Sequence, residues 1–141
     1  MDYEVALPPD VQSVAAGRRL IREALAAWHL EDLIDTATLL TSEVVTNSVL
    51  HARTDILLSV RRTSDHTVTI SVHDDSPHLP RARRHSSDAT TGRGLELLDQ
   101  LSDEWHVEAD PDGKTLTFSV GGAGDPWAAF SAGAWVEELE R

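Results

Sequence analysis

The sequence predicts an α+β two-layer sandwich, in which a mixed, mainly antiparallel sheet is covered on one face by helices. Apolar residues recur at helical spacing in two successive N-terminal segments, and they alternate at period two in later segments. The predicted order is β-α-α-β-β-loop-α-β-β, which groups strands with strands and helices with helices, as expected for helices layered on one sheet. A chain of 141 residues is long enough for one domain with a substantial core.

The N-terminal third predicts one short strand followed by two helices. Residues 5–7 precede two prolines, which favours a short edge strand. Residues 11–28 have the spacing of an amphipathic helix, whose start can be capped by Asp10 or Ser13. A second helix is expected over residues 31–51. Its predicted apolar stripe consists of Leu33, Ala37, Leu40, Val44 and Leu50.

Two pairs of strands are predicted further along the chain. The segments "DILLSVRR" and "HTVTISVHDDSP" have strand character, and Asp65 and His66 between them suit a hairpin turn. The segments "EWHVEAD" and "KTLTFSV" are joined by "PDG", which is a typical turn sequence. A helix over residues 92–103 is expected to precede the second pair.

A polar, basic segment interrupts the periodicity between residues 76 and 91. Loops of this length in compact domains are usually functional lids or disordered segments. Its arginines, Arg81, Arg83 and Arg84, are the main basic cluster of an otherwise acidic chain. The interpretation as a lid over an anionic ligand and the interpretation as a disordered segment both remain open at this point.

The C-terminal residues predict a separate element. We expect the main domain to span residues 1–122 and an amphipathic helical extension to span residues 123–141. Trp127, Phe130 and Trp135 fall near one face of this helix. An apolar stripe usually packs on its own domain, so docking is favoured; the alternative is a partner-binding or dimerisation helix.

The composition excludes several functional classes. The formal net charge of −12 disfavours binding to nucleic acid or to an anionic membrane, because both need clustered positive charge. There is no cysteine, and the N-terminus lacks the apolar run of a signal peptide, so a cytoplasmic location is expected. An anionic ligand could therefore be held only by a local device such as a metal ion, backbone N–H groups or a few arginines.

Three polar groups of residues stand out on this framework, and each is a weak signal by itself. The first lies on the second helix, the second at the end of a strand, and the third at the start of a helix. They are, in chain order, Glu43 with Asn47 and His51; Asp74 with Asp75 and Ser76; and Gly92 with Arg93 and Gly94.

Together the three groups predict a nucleotide site. The Asn47 side chain offers a hard oxygen ligand for Mg²⁺, and Glu43 one helical turn earlier can accept a proton from an attacking hydroxyl. Asp74 can accept a hydrogen bond from an exocyclic amine such as that of adenine. Gly92 and Gly94 expose backbone N–H groups at a predicted helix N-terminus, where a phosphate is stabilised.

The strings "EVVTNSVLHA", "VHDDSP" and "TGRGLELLDQLSDEW", in that order, resemble the signature boxes of the GHKL, or Bergerat-fold, ATP-binding family. That family includes gyrase, heat-shock chaperones of the ninety-kilodalton class and histidine kinases. The resemblance is greatest to its small single-domain branch, the anti-sigma factor serine/threonine kinases and their actinobacterial relatives. It covers about residues 10–120 and implies the histidine-kinase-like ATPase fold with ATP and Mg²⁺ as cofactors.

The resemblance also implies roles for particular residues. Asn47 would hold Mg²⁺, Glu43 would be the catalytic acid–base group, and Asp74 would bind the adenine amine. Thr115 in "GKT" matches a threonine that helps at the adenine. His51 occupies a frequent family position beside the first string, where packing or support of the neighbouring ligands is expected rather than ligation. The remaining nucleotide contacts would come from the other matched positions, Ser76, Gly92, Arg93 and Gly94.

The second string departs from the family pattern D-x-G-x-G. Ser76 and His78 stand where the family has glycines, and side chains at these positions can obstruct close approach of a ligand. The departure predicts a weakened site.

The implied function is an ATP-binding anti-sigma regulatory factor. It would phosphorylate a small STAS-type antagonist protein, sequester a sigma factor, or do both, and the branch commonly forms homodimers. The alternative is a regulatory binding module of the same fold with weak or no ATP binding. A stand-alone ATPase has no support in the sequence.

Overall fold

A computed structural model of the protein describes residues 2–76 and 89–122, with side chains described for residues 2–76, 95–109 and 111–122. The strands are β1 (Asp2–Leu7), β2 (Ile56–Ser64), β3 (Thr67–Asp74), β4 (Glu104–Asp110) and β5 (Gly113–Val120). The helices are α1 (Gln12–Ala27), α2 (Ile34–Asn47) and α3 (Ala89–Leu101). A 3₁₀ turn, Glu31–Leu33, precedes α2, and a π-helical turn, Ser48–Ala52, follows it. The element order agrees with the predicted one.

The described strands form one five-stranded sheet in the order β1-β2-β3-β5-β4. The α+β class with a mainly antiparallel sheet is confirmed. The sheet was expected to be mixed, but each neighbouring pair of the described strands is antiparallel. The physical reason is that β5 lies between β3 and β4. Although β4 runs in the same direction as β3 after the α3 crossover, the two strands are not hydrogen-bonded to each other. β1 is an edge strand, as predicted.

The alternation of side chains along the strands separates an apolar face from a polar face. Val68, Ile70 and Val72 of β3 are buried with the helices. On the other face hydroxyl groups pair across strands, as between Ser71 Oγ and Thr117 Oγ1, 3.1 Å apart. The helices α1 and α2 contact each other and also the sheet, and α3 contacts α2. These contacts confirm helices on one face of the sheet.

The start of α1 uses Asp10 rather than Ser13. The Gln12 backbone N–H donates to Asp10 Oδ1 at 2.8 Å, which satisfies one of the free N–H groups at the helix N-terminus. The Ser13 hydroxyl instead donates to the Pro8 carbonyl at 2.6 Å. The Asp10 prediction is therefore confirmed, and Ser13 fixes the preceding turn.

The predicted apolar stripe of α2 is correct except at its end. Leu33, Ala37, Leu40 and Val44 are buried, but the side chain of Leu50 is 47% exposed and Val49 is buried instead. Leu50 follows Val44 by six residues, which is not the three- or four-residue spacing of a helical stripe. A π-type hydrogen bond from the Arg53 N–H to the Ser48 carbonyl (3.1 Å) also widens the helix there.

The third helix begins at Ala89, three residues earlier than the sequence predicted. The predicted lid extends over residues 76–91, of which 77–88 lie outside the described residues, as does the C-terminal extension 123–141. In the part of the chain that the structure describes, no helix combines the length and apolar character needed to cross a membrane.

The alternation in β2 gives a test of the core. Leu58 is fully buried, whereas its neighbour Leu57 is 39% exposed on the opposite face. Leu58→Ala should lower the free energy of unfolding by about 2–5 kcal/mol, because it removes buried methyl groups and leaves a cavity. Leu57→Ala, the matched control, should change it by less than about 1 kcal/mol. Urea denaturation measures both; equal losses would contradict the assignment of the two faces.

Candidate functional site

Asp74 is the centre of the candidate site. It is the last residue of β3, its side chain is on the helix face of the sheet, and it is only 1% exposed. Its carboxylate accepts three hydrogen bonds. Ser48 Oγ donates to Oδ2 (3.1 Å), while the Ser76 backbone N–H and Lys114 Nζ donate to Oδ1 (3.0 Å each). The contacts tie together the end of α2, the end of β3 and the start of β5.

Lys114 reaches Asp74 because β3 and β5 are paired in register. Asp74 and Lys114 are cross-strand partners, so their side chains are on the same face of the sheet. Gly113 permits this approach, since a Cβ there would overlap the Asp74 carbonyl oxygen and lie 2.9 Å from the Asp75 Cα. The Lys114 side chain is 12% exposed, and its ammonium supplies the positive charge that a buried carboxylate needs.

Asn47 directly precedes Ser48, the residue that donates to Asp74. It is the last residue of α2, and its Oδ1 atom is buried without a hydrogen-bond partner among the described residues. Such an orphaned carbonyl oxygen is costly, so it indicates a missing ligand such as water or a metal ion. A neutral oxygen is a suitable ligand for Mg²⁺, which is commonly bound by one or two protein groups together with waters and substrate phosphates. The donor set therefore fits Mg²⁺.

Glu43 lies one helical turn before Asn47 and is partly exposed. The spacing of four residues places both side chains on the same side of α2. Among the described residues, no cluster of three or more His, Asp or Glu side chains forms a self-sufficient metal site. A metal ion at Asn47 would thus depend on phosphate oxygens for further ligands.

Thr115 does not lie beside Asp74. Its Oγ1 is 2.9 Å from His73 Nδ1, on the polar face of the sheet and therefore on the side away from the helices. Neighbouring residues of a strand lie on opposite faces, so Lys114, and not Thr115, is the residue of β5 whose side chain is next to Asp74.

A small cavity of about 110 Å³ lies on the polar face, with Thr69, His106 and Thr117 among its lining residues. It contains none of the predicted site residues.

The glycines of the third group are part of α3. Gly92 and Gly94 are the fourth and sixth residues of a helix that begins at Ala89, so their amides lie beyond its free first turn. Arg93 lies between them on the same helix. Because α3 contacts α2, this segment is next to the helix that carries Glu43 and Asn47. His51 lies on the π-helical turn and is exposed.

Two residues of the site were missed by the sequence reasoning. Ser48 and Lys114 both donate to Asp74. Ser48 has no signal in the sequence, because a serine after an asparagine on a helix is unremarkable. Lys114 had one: it is the only lysine in the chain.

The comparison with known families identifies the fold and the class of domain. Residues 7–120 match the family described as "Histidine kinase-like ATPase domain". The match covers most of the chain, and the protein belongs to this family. Membership implies a domain that binds ATP. A search of curated proteins found no match.

A solved structure supports the fold independently. The chain is similar to the crystal structure of the RsbU and RsbW domains of Rv1364c from Mycobacterium tuberculosis, with a TM-score of 0.62 and 19% sequence identity. The similarity covers 86% of this chain but 32% of the other chain, so this protein corresponds to about a third of that longer polypeptide.

The orphaned oxygen of Asn47 gives a prediction for ligand-dependent stability. Asn47→Ala should change the free energy of unfolding without ligand by less than about 1 kcal/mol, because it removes an unsatisfied buried group and introduces a better helix former. It should abolish the part of ATP-induced stabilisation that requires Mg²⁺. For the wild type, a ligand at a hundred times its Kd adds about 2.7 kcal/mol. Thermal unfolding with ATP, with and without Mg²⁺, measures the difference.

Thr41→Val is the matched control. Thr41 Oγ1 is the other buried atom without a partner among the described residues, and Thr41 lies two residues before Glu43. Its replacement should raise stability by about 1 kcal/mol with or without nucleotide. Full retention of the Mg²⁺ effect in Asn47→Ala would contradict the assignment of Asn47.

Proposed function

We propose that this protein is an ATP-binding anti-sigma regulatory factor that acts as a serine/threonine protein kinase on a small STAS-type antagonist protein, and that it also sequesters a sigma factor. The observation that carries the proposal is the unpartnered, buried Asn47 oxygen, one residue before the serine that donates to the buried Asp74 carboxylate. Family membership supports ATP binding, and the resemblance of the three signature strings to anti-sigma kinases supports the choice of partner.

Each residue of the site would have a simple task in phosphoryl transfer. Asp74 would accept a hydrogen bond from the exocyclic amine of the base, and Ser76 beside it would contact the base side of the nucleotide. Asn47 would hold Mg²⁺, which neutralises phosphate charge when bound. Glu43 would accept the proton of the attacking serine hydroxyl as its oxygen bonds to the γ-phosphorus and the bond to ADP breaks.

The phosphate contacts require a local change in α3. The Gly92 and Gly94 amides can donate to a phosphate only if the first turns of the helix unwind, since within the helix they are already engaged. Glycine lowers the free-energy cost of unwinding a helix, because each glycine is about 1 kcal/mol less favourable than alanine in a helix interior. Arg93, between the glycines, would be carried towards the phosphates by the same change.

The central test of the proposed activity is phosphoserine formation. Purified protein with radiolabelled ATP, Mg²⁺ and STAS-type antagonist proteins of the source organism should label one of them on serine. Glu43→Gln should reduce the rate at least about a hundredfold while leaving ATP affinity nearly unchanged, because it removes the proton acceptor and keeps the shape. Equal rates for Glu43→Gln and wild type would exclude Glu43 as the base.

Alanine at the two glycines tests the unwinding of α3. Gly92→Ala and Gly94→Ala should each stabilise the unliganded protein by up to about 1 kcal/mol and weaken ATP binding, because they favour the helical state. Thermal unfolding and calorimetry measure the two effects. Glu96→Ala on an exposed position of the same helix is the control, and it should leave ATP affinity unchanged. Stabilisation without loss of ATP affinity would show that the helix stays intact on binding.

A second function, a regulatory module that binds its partner with little use of nucleotide, is favoured by one observation. Asp74 is closed off from solvent and already paired with Lys114. Together with Ser76 and His78 at positions where the family has glycines, this pairing predicts low ATP affinity. Weak or absent ATP binding, or ATP binding without transfer to any antagonist, would favour this function. The sigma-factor complex, and homodimerisation, would be measured separately by light scattering.

A further inference from the structure

One of the three donors to Asp74 is at the end of a long, flexible side chain. The Ser76 N–H is fixed by the backbone and the Ser48 hydroxyl by the π-helical turn, whereas the Lys114 ammonium is at the end of a four-carbon stem. Its distance of 3.0 Å from Asp74 Oδ1 is that of an ordinary N–H donor on a carboxylate. A second contact of 3.4 Å, to the Ser76 carbonyl oxygen, holds the ammonium over the start of the following segment.

A nucleobase amine would need the same place. Oδ1 already accepts two hydrogen bonds and Oδ2 one. Oδ2 keeps a free lone pair, but the side chain is only 1% exposed, so a base can approach the carboxylate only if one of the groups that cover it moves. Lys114 is the donor that can leave with the smallest change, since neither a strand nor a helix has to move. We propose that Lys114 is a built-in competitor of the base, whose ammonium takes the place of the exocyclic amine on Asp74. This inference rests on the proposed nucleotide site.

The competition has an energetic consequence. Binding a base exchanges a hydrogen bond between two opposite charges for one in which only the acceptor is charged, and this exchange loses Coulomb attraction. The site would therefore favour ligands that gain enough from their phosphates to release the lysine, and a nucleoside without phosphates would bind poorly. Lys114 would thus determine how much binding free energy the phosphates must supply before the base can bind to Asp74.

Lys114 is the only lysine of the chain, which allows a test on the unmodified protein. Acetylation of Lys114 by an amine-reactive ester, followed by peptide mass spectrometry, reports how accessible the ammonium is. Saturating ATP should accelerate the modification at least about fivefold, because the displaced ammonium is no longer held by the carboxylate. The N-terminal amine is the internal control, and its rate should not change. An unchanged or slower rate at Lys114, with ATP shown to be bound by calorimetry, would overturn the inference and leave the proposed function intact.

A series of variants gives the second measurement. Affinity for ATP and for adenosine should rise about tenfold in Lys114→Met, which removes the competitor, and should fall in Lys114→Arg, whose guanidinium can bind a carboxylate with two hydrogen bonds. If Lys114→Met does not fold, Lys114→Gln can replace it, because glutamine keeps a hydrogen-bond donor but removes the charge. Thr117→Val, on the polar face of the same strand, should equal wild type.

The possible outcomes distinguish the proposed ATP-binding function from the proposed competition by Lys114. If neither wild type nor Lys114→Met binds ATP, the proposed function fails and the inference fails with it. If both bind ATP equally, only the competition is excluded. Binding by both proteins, with higher affinity in Lys114→Met than in wild type, would support both.

Discussion

The candidate site depends on one buried charge. Asp74 ends a central strand with almost no exposure to water, and an isolated carboxylate in that position would be strongly destabilising. The protein compensates it with a hydroxyl from the π-helical turn, a backbone N–H from the following residue and an ammonium from the neighbouring strand. These donors come from separate parts of the chain, so the same interaction that satisfies the charge also brings the asparagine helix, β3 and β5 to one place.

The overall charge of the protein makes such a local arrangement necessary. With a formal charge of −12, an anionic ligand gains nothing from the long-range field. Binding has to come from short-range groups. In the proposed function these would be an oxygen ligand for Mg²⁺ at Asn47, amides of the α3 segment and the base contact at Asp74. The orphaned Asn47 oxygen is a cost to the folded protein that a bound ion or water would remove. The same oxygen therefore destabilises the unliganded protein and would be satisfied when a ligand binds.

The sequence was sufficient for the class of fold and the order of its elements, because periodicity and turn residues are local signals. Asp65 and His66 form the predicted hairpin turn, and β1 is the predicted edge strand. The sheet order was not predictable, since the insertion of β5 between β3 and β4 depends on long-range pairing. The exposure of Leu50 depends on a π-type hydrogen bond, for which the sequence has no clear signal.

Within the candidate site, Asn47 and Asp74 could be proposed from the sequence because each belongs to a short string on a recognisable element, and Ser48, the residue after Asn47, donates to Asp74. The position of Thr115 on the polar face could not be predicted, because strand register decides which face a residue occupies and register is set by the partner strand. Lys114 was overlooked for the same reason. The start of α3 was predicted too late because glycines usually lie near helix ends. In the structure the helix begins at Ala89, includes both glycines and contacts α2.

The most direct measurement of the central claim is a calorimetric titration of the wild-type protein with ATP, in the presence of Mg²⁺ and again with the metal chelated. If Asn47 holds Mg²⁺ at a nucleotide site, ATP should bind saturably with one nucleotide per chain, and its affinity should fall when Mg²⁺ is removed. Saturable binding that is indifferent to Mg²⁺ would contradict the role of Asn47, and no binding at millimolar ATP would contradict the nucleotide site as a whole.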